Sequence, residues 1–211
     1  MGLGRPKPFL PLGGKPILYY SAKVFEKSTA VRDILFVVRK QDVKACEALV
    51  RRFHFKKTRG VITGGRSRQE SVYNGLRKLS PGTDVVLIHD AARPFIDAKI
   101  VEKTAKLARK TGAAIAAAPV KDTIKIKSHR LLTLNRRRLW HAQTPQAFRY
   151  KLLMEAYREA FADRLLGTDD AQLVEKFGAN VSIVPGTDRN LKITTPVDLK
   201  LAQILIKGGA L

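Results

Sequence analysis

The residues best suited to chemistry in this sequence are charged side chains and small hydroxyls placed at the ends of apolar runs. In "VVLIHDAARP" four apolar residues give way to His89, Asp90 and, three residues on, Arg93. In "GVITGGRSRQESV" a second apolar run is followed by Gly64 and Gly65, then Arg66, Arg68 and Ser71. "APVKDT" ends in Thr123, "NRRR" contains Arg136, "QTPQAF" carries Thr144 and "GTDDAQ" carries Thr168. "NLKITTPVDL" puts Lys192 just ahead of the last helical pattern. The opening "MGLGRPKPFLPLGGKPIL", with Gly2 and Lys7, has the glycines and basic residues of a phosphate-binding loop running into a helix. Each feature alone has a plain structural reading. Asp90 could cap a turn, the paired glycines could be only a turn, Lys192 could be a solvated charge, and Thr168 could cap the helix it precedes.

What makes them a group is the order of elements. "PILYYSAKVFEKS" is apolar at helical spacing, "DILFVVRK" is a short β-branched run, and "DVKACEALVRRF" sets Val43, Cys46, Leu49, Val50 and Phe53 along one helical stripe. "GVIT" reads as a strand, "SRQESVYNGLRKL" as a helix and "DVVLIHD" as a buried strand. "AKIVEKTAKLARKTG" is a helix closed by Gly112, and "AAIAAAPV" is another buried strand. Two helices ("YKLLMEAYREAFA", "DDAQLVEKFG"), a strand ("NVSIVPG") and a final helix ("PVDLKLAQILIK") complete the chain. Strand–helix alternation with fully apolar strands predicts an α/β protein with a doubly wound, mostly parallel, Rossmann-like sheet. Such sheets bind ligands at the carboxyl edge of their strands, where the polar residues above fall. Residues 121–138 break the pattern with short alternating segments around a "KSHR" turn, and predict a protruding β-hairpin arm on a single domain spanning 1–211.

Composition narrows the class. A chain of 211 residues with 45% hydrophobic and 27% charged residues is globular rather than disordered. Its longest apolar runs fall far short of the roughly 20 residues of a membrane span, and no secretory h-region opens it. Cys46 is the only cysteine, so no intrachain disulfide forms and a reducing cytoplasmic setting fits. Forty Lys and Arg against eighteen Asp and Glu leave +22, a surface that attracts polyanions. The basic residues are scattered and no aromatic–basic RNA-binding motif is present. Non-specific nucleic-acid contact is therefore expected, and a dedicated nucleic-acid function is the weaker alternative.

In order and spacing, "PKPFLPLGGKPIL", "GGRSRQESV", "VLIHDAARPF", "APVKDT", "LWHAQTPQAF", "TDDAQLVEKFG" and "NLKITTPVDL" make the sequence resemble the 2-C-methyl-D-erythritol 4-phosphate cytidylyltransferases of the non-mevalonate isoprenoid pathway, from residue 1 to about residue 205. The related ribitol 5-phosphate cytidylyltransferases share several of these motifs, but "APVKDT" and "HDAARP" look more like the methylerythritol branch. The resemblance implies a reaction that joins CTP to a polyol phosphate with Mg²⁺ and releases pyrophosphate. It implies Lys7 and Lys192 as catalytic residues, and nucleotide contacts from Gly2, Gly65, Arg66, Arg68 and Ser71. For the polyol phosphate it implies Asp90, Arg93, Thr144 and Thr168, with Thr123 and Arg136 delivered by the arm across a homodimer interface. It names no protein ligand for the metal, Asp90 being the nearest by type.

The resemblance also marks departures. Pro8 stands where the family usually has glutamine, and Arg189 where an acidic or neutral residue often precedes the asparagine. The family opens on a strand and a loop A-A-G-x-G-x-R-M-G, and this sequence begins at that methionine. An upstream strand would lie inside the sheet, so its removal is expected to expose two strand edges. Loss of most of the glycine loop is expected to impair catalysis.

Overall fold

A computed structural model of the chain describes residues 6–80 and 82–209. Gly2 lies outside the described residues. The elements run β1 (Pro11–Leu12), β2 (Lys15–Pro16), α1 (Ile17–Lys27), β3 (Ile34–Val38), α2 (Val43–Arg52), β4 (Thr58–Thr63), α3 (Arg68–Leu76), β5 (Val85–Ile88) and α4 (Ala98–Thr111). They continue through β6 (Ala113–Pro119), β7 (Lys125–Lys127), β8 (Leu131–Thr133), β9 (Trp140–Arg149), α5 (Tyr150–Ala162), α6 (Asp170–Lys176), β10 (Ser182–Pro185) and α7 (Pro196–Lys207). The α/β alternation read from the sequence is that of the fold, except that the central strand β9, between the arm and α5, was not among the expected elements.

The centre is a four-stranded sheet in the order β10-β6-β9-β5. Side chains on a strand point to alternate faces, and β6 uses both. Ala113, Ile115 and Ala117 pack against Leu153 and Tyr157 of α5 and Leu173 of α6. Ala116 turns the other way, onto Ile100 and Val101 of α4. Alanine suits a strand covered on both faces, since its small side chain lets helices approach the sheet closely. β6 and β10 are parallel, whereas β9 runs antiparallel to both β6 and β5.

A second sheet pairs β3 with β4 in parallel. Among the described residues no strand joins β3 to β5, so each is a sheet edge. This corrects one expectation: the "VVLI" of β5 was read as buried, and all four residues are only partly so. Helix α1 ties the two sheets together. Leu18 and Ala22 join Phe36, Cys46 and Leu49 over the β3–β4 pair, while Phe25 reaches a cluster containing Leu87 of β5 and Ala116 of β6. Ahead of α1, β1 and β2 form a hairpin closed by Gly13 and Gly14 at φ of 54° and 81°. A two-residue loop with both φ values positive is the turn that needs glycines. The arm is present as β7 and β8, antiparallel, with Lys125 opposite Thr133.

Strand β9 carries no apolar alternation that would announce it. Its middle buries Gln143, Thr144 and Gln146, each made tolerable by hydrogen bonds to other segments.

Candidate active site

The loop after β5, the loop before α7 and the first turn of α3 converge on Asp90. It follows β5, and the carboxylate side chain is only 16% exposed. Lys192 Nζ lies 2.9 Å from Asp90 Oδ2, Arg93 Nε lies 3.6 Å from the same oxygen, and Arg68 Nε lies 3.7 Å from Oδ1. Desolvation opposes ionisation of Asp90, but the Lys192 hydrogen bond and the surrounding cations prevail and hold the carboxyl below its ordinary range.

Backbone geometry fixes these groups. The Arg93 N–H donates to Asp90 O in a tight turn, and the Ile193 N–H donates to Ala92 O, which docks the Lys192 segment beside that turn. Arg93 Nη1 donates to Asn190 O at 2.7 Å, and buried Asn190 in turn donates to Gln143 Oε1 and Thr144 O. Just beyond Lys192, Thr195 and Asp198 form a reciprocal cap that starts α7 and stops the chain from drifting there.

The hydroxyl of Thr144 is the link between β9 and β5. It accepts the Asp90 N–H at 3.0 Å and lies 3.1 Å from His89 Nδ1. His89 Nε2 lies 3.2 Å from Arg93 O. For a neutral His89 one proton arrangement satisfies all three contacts: Nε2 donates to the carbonyl and Nδ1 accepts the Thr144 O–H. Burial supports this, lowering the His89 pKa to about 4.

The glycine turn after β4 is built tightly. A Cβ on Gly65 would fall 2.3 Å from Glu70 Cβ, and one on Gly64 would fall 2.6 Å from Ser71 Oγ. Ser71 accepts the Gly65 N–H and donates to Ser67 O, and Glu70 accepts the Arg66 N–H. Ser67 caps α3. Ser71 and Gly65 are thus brought together, with Arg68 reaching from α3 into the Asp90 cluster.

Other residues singled out in the sequence share no hydrogen bond or ion pair with the cluster among the described residues. Lys7 is exposed in a single 3₁₀ turn, whose Phe9 packs in the same cluster as Ala91 beside Asp90. Thr168 is exposed and bonded to Gln172; the cap of α6 is Asp169 rather than Thr168, because Asp169 accepts the Gln172 N–H. Thr168 lines a hollow of about 340 Å³ with Trp140, Gln172 and Ile183. Thr123 and Arg136 sit at the base of the arm, where Arg136 donates to Lys121 O. Among the described residues no hydrogen bond or ion pair joins either to the Asp90 cluster.

No group of three metal-ligating side chains occurs among the described residues. A Mg²⁺ ion carried mostly on phosphate oxygens needs only one or two protein carboxylates, and Asp90 can supply one. The donor set therefore fits a metal that arrives with a nucleotide.

Residues 1–208 match the family model for 2-C-methyl-D-erythritol 4-phosphate cytidylyltransferase. The chain belongs to this family. A Geobacter metallireducens protein of that name is 46% identical over 98% of this chain and 92% of its own length. One from Bacillus licheniformis is 43% identical over 99% and 90%. The crystal structure of 4-diphosphocytidyl-2C-methyl-D-erythritol synthase from Anaerococcus prevotii superposes with a TM-score of 0.89 at 32% identity, covering 98% of this chain and 92% of that one. The Thermus thermophilus cytidylyltransferase gives 0.83 at 32% identity, covering 96% and 94%. These relationships establish the Rossmann-like α/β class and make the chain a nucleotidyltransferase.

Three residues of the candidate site escape a reading by motif, Asn190, Gln146 and Asp170, and so does the role of His89 as the link between Thr144 and Arg93. The pair of adjacent acids in "TDDAQ" was the available signal for Asp170. The others are polar residues whose burial no sequence pattern discloses.

Proposed function

We propose that the Asp90 cluster is where this chain joins CTP to 2-C-methyl-D-erythritol 4-phosphate, releasing pyrophosphate and forming 4-diphosphocytidyl-2-C-methyl-D-erythritol. The observation that carries this is one carboxylate enclosed by Lys192, Arg93 and Arg68 at the sheet edge. An oxygen of the substrate phosphate attacks the α-phosphorus of CTP in line, and the bond to the pyrophosphate oxygen breaks. No covalent enzyme nucleophile is needed. The demand is to hold two anions together and to neutralise the charge that grows on the phosphorus and the leaving group.

Lys192 and Lys7 are proposed to meet the phosphates at the reacting centre. Asp90 orients Lys192 and, with Arg93, receives the polyol phosphate. Thr144 serves it through the position it gives Asp90, and Thr168 from the hollow it lines. Gly65, Arg66, Arg68 and Ser71 form the nucleotide side, where the turn after β4 packs tightly on Glu70 and Ser71 and Arg68 supplies a cation. A Mg²⁺ ion on the triphosphate would withdraw charge from the phosphorus, with Asp90 as its protein contact.

The arm is proposed to embrace a second copy of the chain and bring Thr123 and Arg136 to the partner's site. Its exposed Leu131, Leu132 and Ile126 support this, at 71, 56 and 44% exposure. A cytoplasmic enzyme is proposed because both substrates are phosphorylated and Cys46 is a free, buried thiol. No helix among the described residues is long and apolar enough to cross a membrane.

Pyrophosphate release from CTP and 2-C-methyl-D-erythritol 4-phosphate with Mg²⁺ tests the reaction, with ribitol 5-phosphate as the comparison. Turnover that prefers methylerythritol phosphate and is abolished in Asp90→Ala is the expected result. Preference for ribitol phosphate overturns the substrate assignment, and no turnover by the folded chain or by one extended upstream with the family's A-A-G-x-G-x-R loop overturns the reaction.

A further inference from the structure

Arg68 is tethered at a second point. Its Nη2 donates to Asp170 Oδ2 at 2.6 Å, and the other oxygen of Asp170 accepts the Tyr157 hydroxyl at 2.5 Å. Asp170 and Tyr157 are both fully buried, whereas the Arg68 side chain is 37% exposed. The guanidinium therefore has one end in the core and one at the Asp90 cluster. Nη2 is committed to Asp170 and Nε approaches Asp90, while Nη1 makes no hydrogen bond among the described residues.

Asp170 is itself held rigidly. Gln146 of β9, 1% exposed, accepts the N–H groups of Asp170 and Ala171 on one oxygen and donates to Asp169. The first turn of α6 is thus fastened to the central sheet. Tyr157 is fixed by stacking on Tyr73, with ring centroids 5.8 Å apart. A buried carboxylate without a cation would be costly, and here the only cation bonded to it among the described residues comes from the site.

We infer that Asp170, with Tyr157, is a positioning residue for the nucleotidyl transfer: it sets the place and direction of the Arg68 guanidinium so that the remaining N–H groups present a fixed donor edge to the anionic nucleotide. A long arginine side chain left free would sample many rotamers, and each one lost on binding costs free energy. Tethering Nη2 to a rigid carboxylate removes that loss in advance. Neither Asp170 nor Tyr157 contacts the substrates.

The proposal rests on the cytidylyltransferase reading, and its test has two readouts, of which one is independent of turnover. Arg68→Gln, Asp170→Asn, the double variant and Tyr157→Phe are compared in the full chain for kcat/KM with CTP and for melting temperature. Asp170→Asn is expected to lower kcat/KM for CTP by about tenfold, the low end for loss of a supporting partner. Arg68→Gln lowers it at least as much, and the double variant matches Arg68→Gln within about twofold, because Asp170 acts only through Arg68. In melting, Arg68→Gln strands a buried carboxylate, and adding Asp170→Asn raises the midpoint again. Tyr157→Phe keeps the charge and the ring, and lowers kcat/KM for CTP about threefold, which tests the tether should Asp170→Asn fail to fold.

Multiplying losses in the double variant, or CTP kinetics within twofold of the parent in both Asp170→Asn and Tyr157→Phe, overturns the inference. Absence of turnover in the unaltered chain would instead sink the functional reading. The melting cycle then still decides whether Arg68 and Asp170 are coupled.

Discussion

Replacing Thr144 by valine preserves shape and removes one hydroxyl, and the structure fixes what that hydroxyl does. It accepts the Asp90 N–H at 3.0 Å and satisfies His89 Nδ1 at 3.1 Å, in a residue that is 4% exposed. Valine leaves a donor and an acceptor without partners. Each such group costs about 1–3 kcal/mol when water cannot replace the bond. Both are partly buried rather than sealed, so a total of about 2–4 kcal/mol is expected. For a chain of this size that corresponds to a fall in Tm of roughly 5–15 °C. Because the lost bond anchors the backbone under the Asp90 carboxylate, kcat/KM should fall by about 10–100-fold, as for other groups that hold a reacting centre in place. Thr144→Ser restores the hydroxyl and should stay within about 1 kcal/mol of the parent and retain most activity. Urea unfolding and initial-rate kinetics on the three proteins check this. If valine costs under about 0.5 kcal/mol, or if serine is as damaging as valine, the hydroxyl is not the link argued above and methyl packing is the relevant contact.

Other changes probe separate parts of the site. Because His89 is held neutral with a pKa of about 4, against an ordinary 6.5, the unfolded chain binds the extra proton between those values. Folding stability should therefore fall as pH drops from about 6.5 to about 4, by up to about 3 kcal/mol, and a His89→Gln variant should lose that slope in a Tm-against-pH series. Below the ordinary carboxyl range Asp90 adds a further loss, since its folded pKa is depressed and its protonation releases Lys192. Gly65→Ala puts a Cβ 2.3 Å from Glu70 Cβ, and should destabilise by about 2 kcal/mol or more by thermal melting, with a raised KM for CTP. Lys192→Met should lower kcat by at least about 100-fold with modest loss of stability, because the lysine is 44% exposed; a rate near the parent's would remove it from the reacting centre. Replacing Leu131 and Leu132 of the arm by glutamate should shift a dimer to monomer in light scattering if those side chains face a second copy.

The fold was legible where apolar periodicity was strong. The poly-alanine run of β6 and the helical stripes of α2 and α4 are unambiguous because burial alone dictates them. Strand β9 was not legible, since its buried middle is Gln-Thr-Pro-Gln, and those residues are kept inside by specific partners on α6, β5 and the loop before α7. The same distinction runs through the site. Asp90, Arg93, Lys192, Arg68, Ser71 and Gly65 declare themselves by position after strands and before helices. Their roles do not: the hydroxyls of Ser71 and Thr144 are both engaged within the protein. That follows from hydrogen-bond geometry between segments 6 and 54 residues apart, and no local pattern encodes it.

The charges of the site suit a reaction between two anions. Among the described residues Arg68, Arg93 and Lys192 are balanced only by Asp90 and Asp170, and Asp170 is sealed in the core, so the cluster itself is cationic. Three bare cations this close would repel one another, and Asp90 resolves the conflict in the free protein by bridging them. On binding, phosphate oxygens can take over that bridging, leaving Asp90 to hold Lys192 in place or to meet a metal ion on the triphosphate. The +22 surface works in the same direction from a distance, raising the local concentration of anionic substrates but screened beyond about 8 Å at physiological salt. Steering of that kind acts on encounter, so added salt should depress kcat/KM while leaving kcat nearly unchanged. A kcat that fell in parallel would place the salt-sensitive charges inside the Asp90 cluster rather than on the surface.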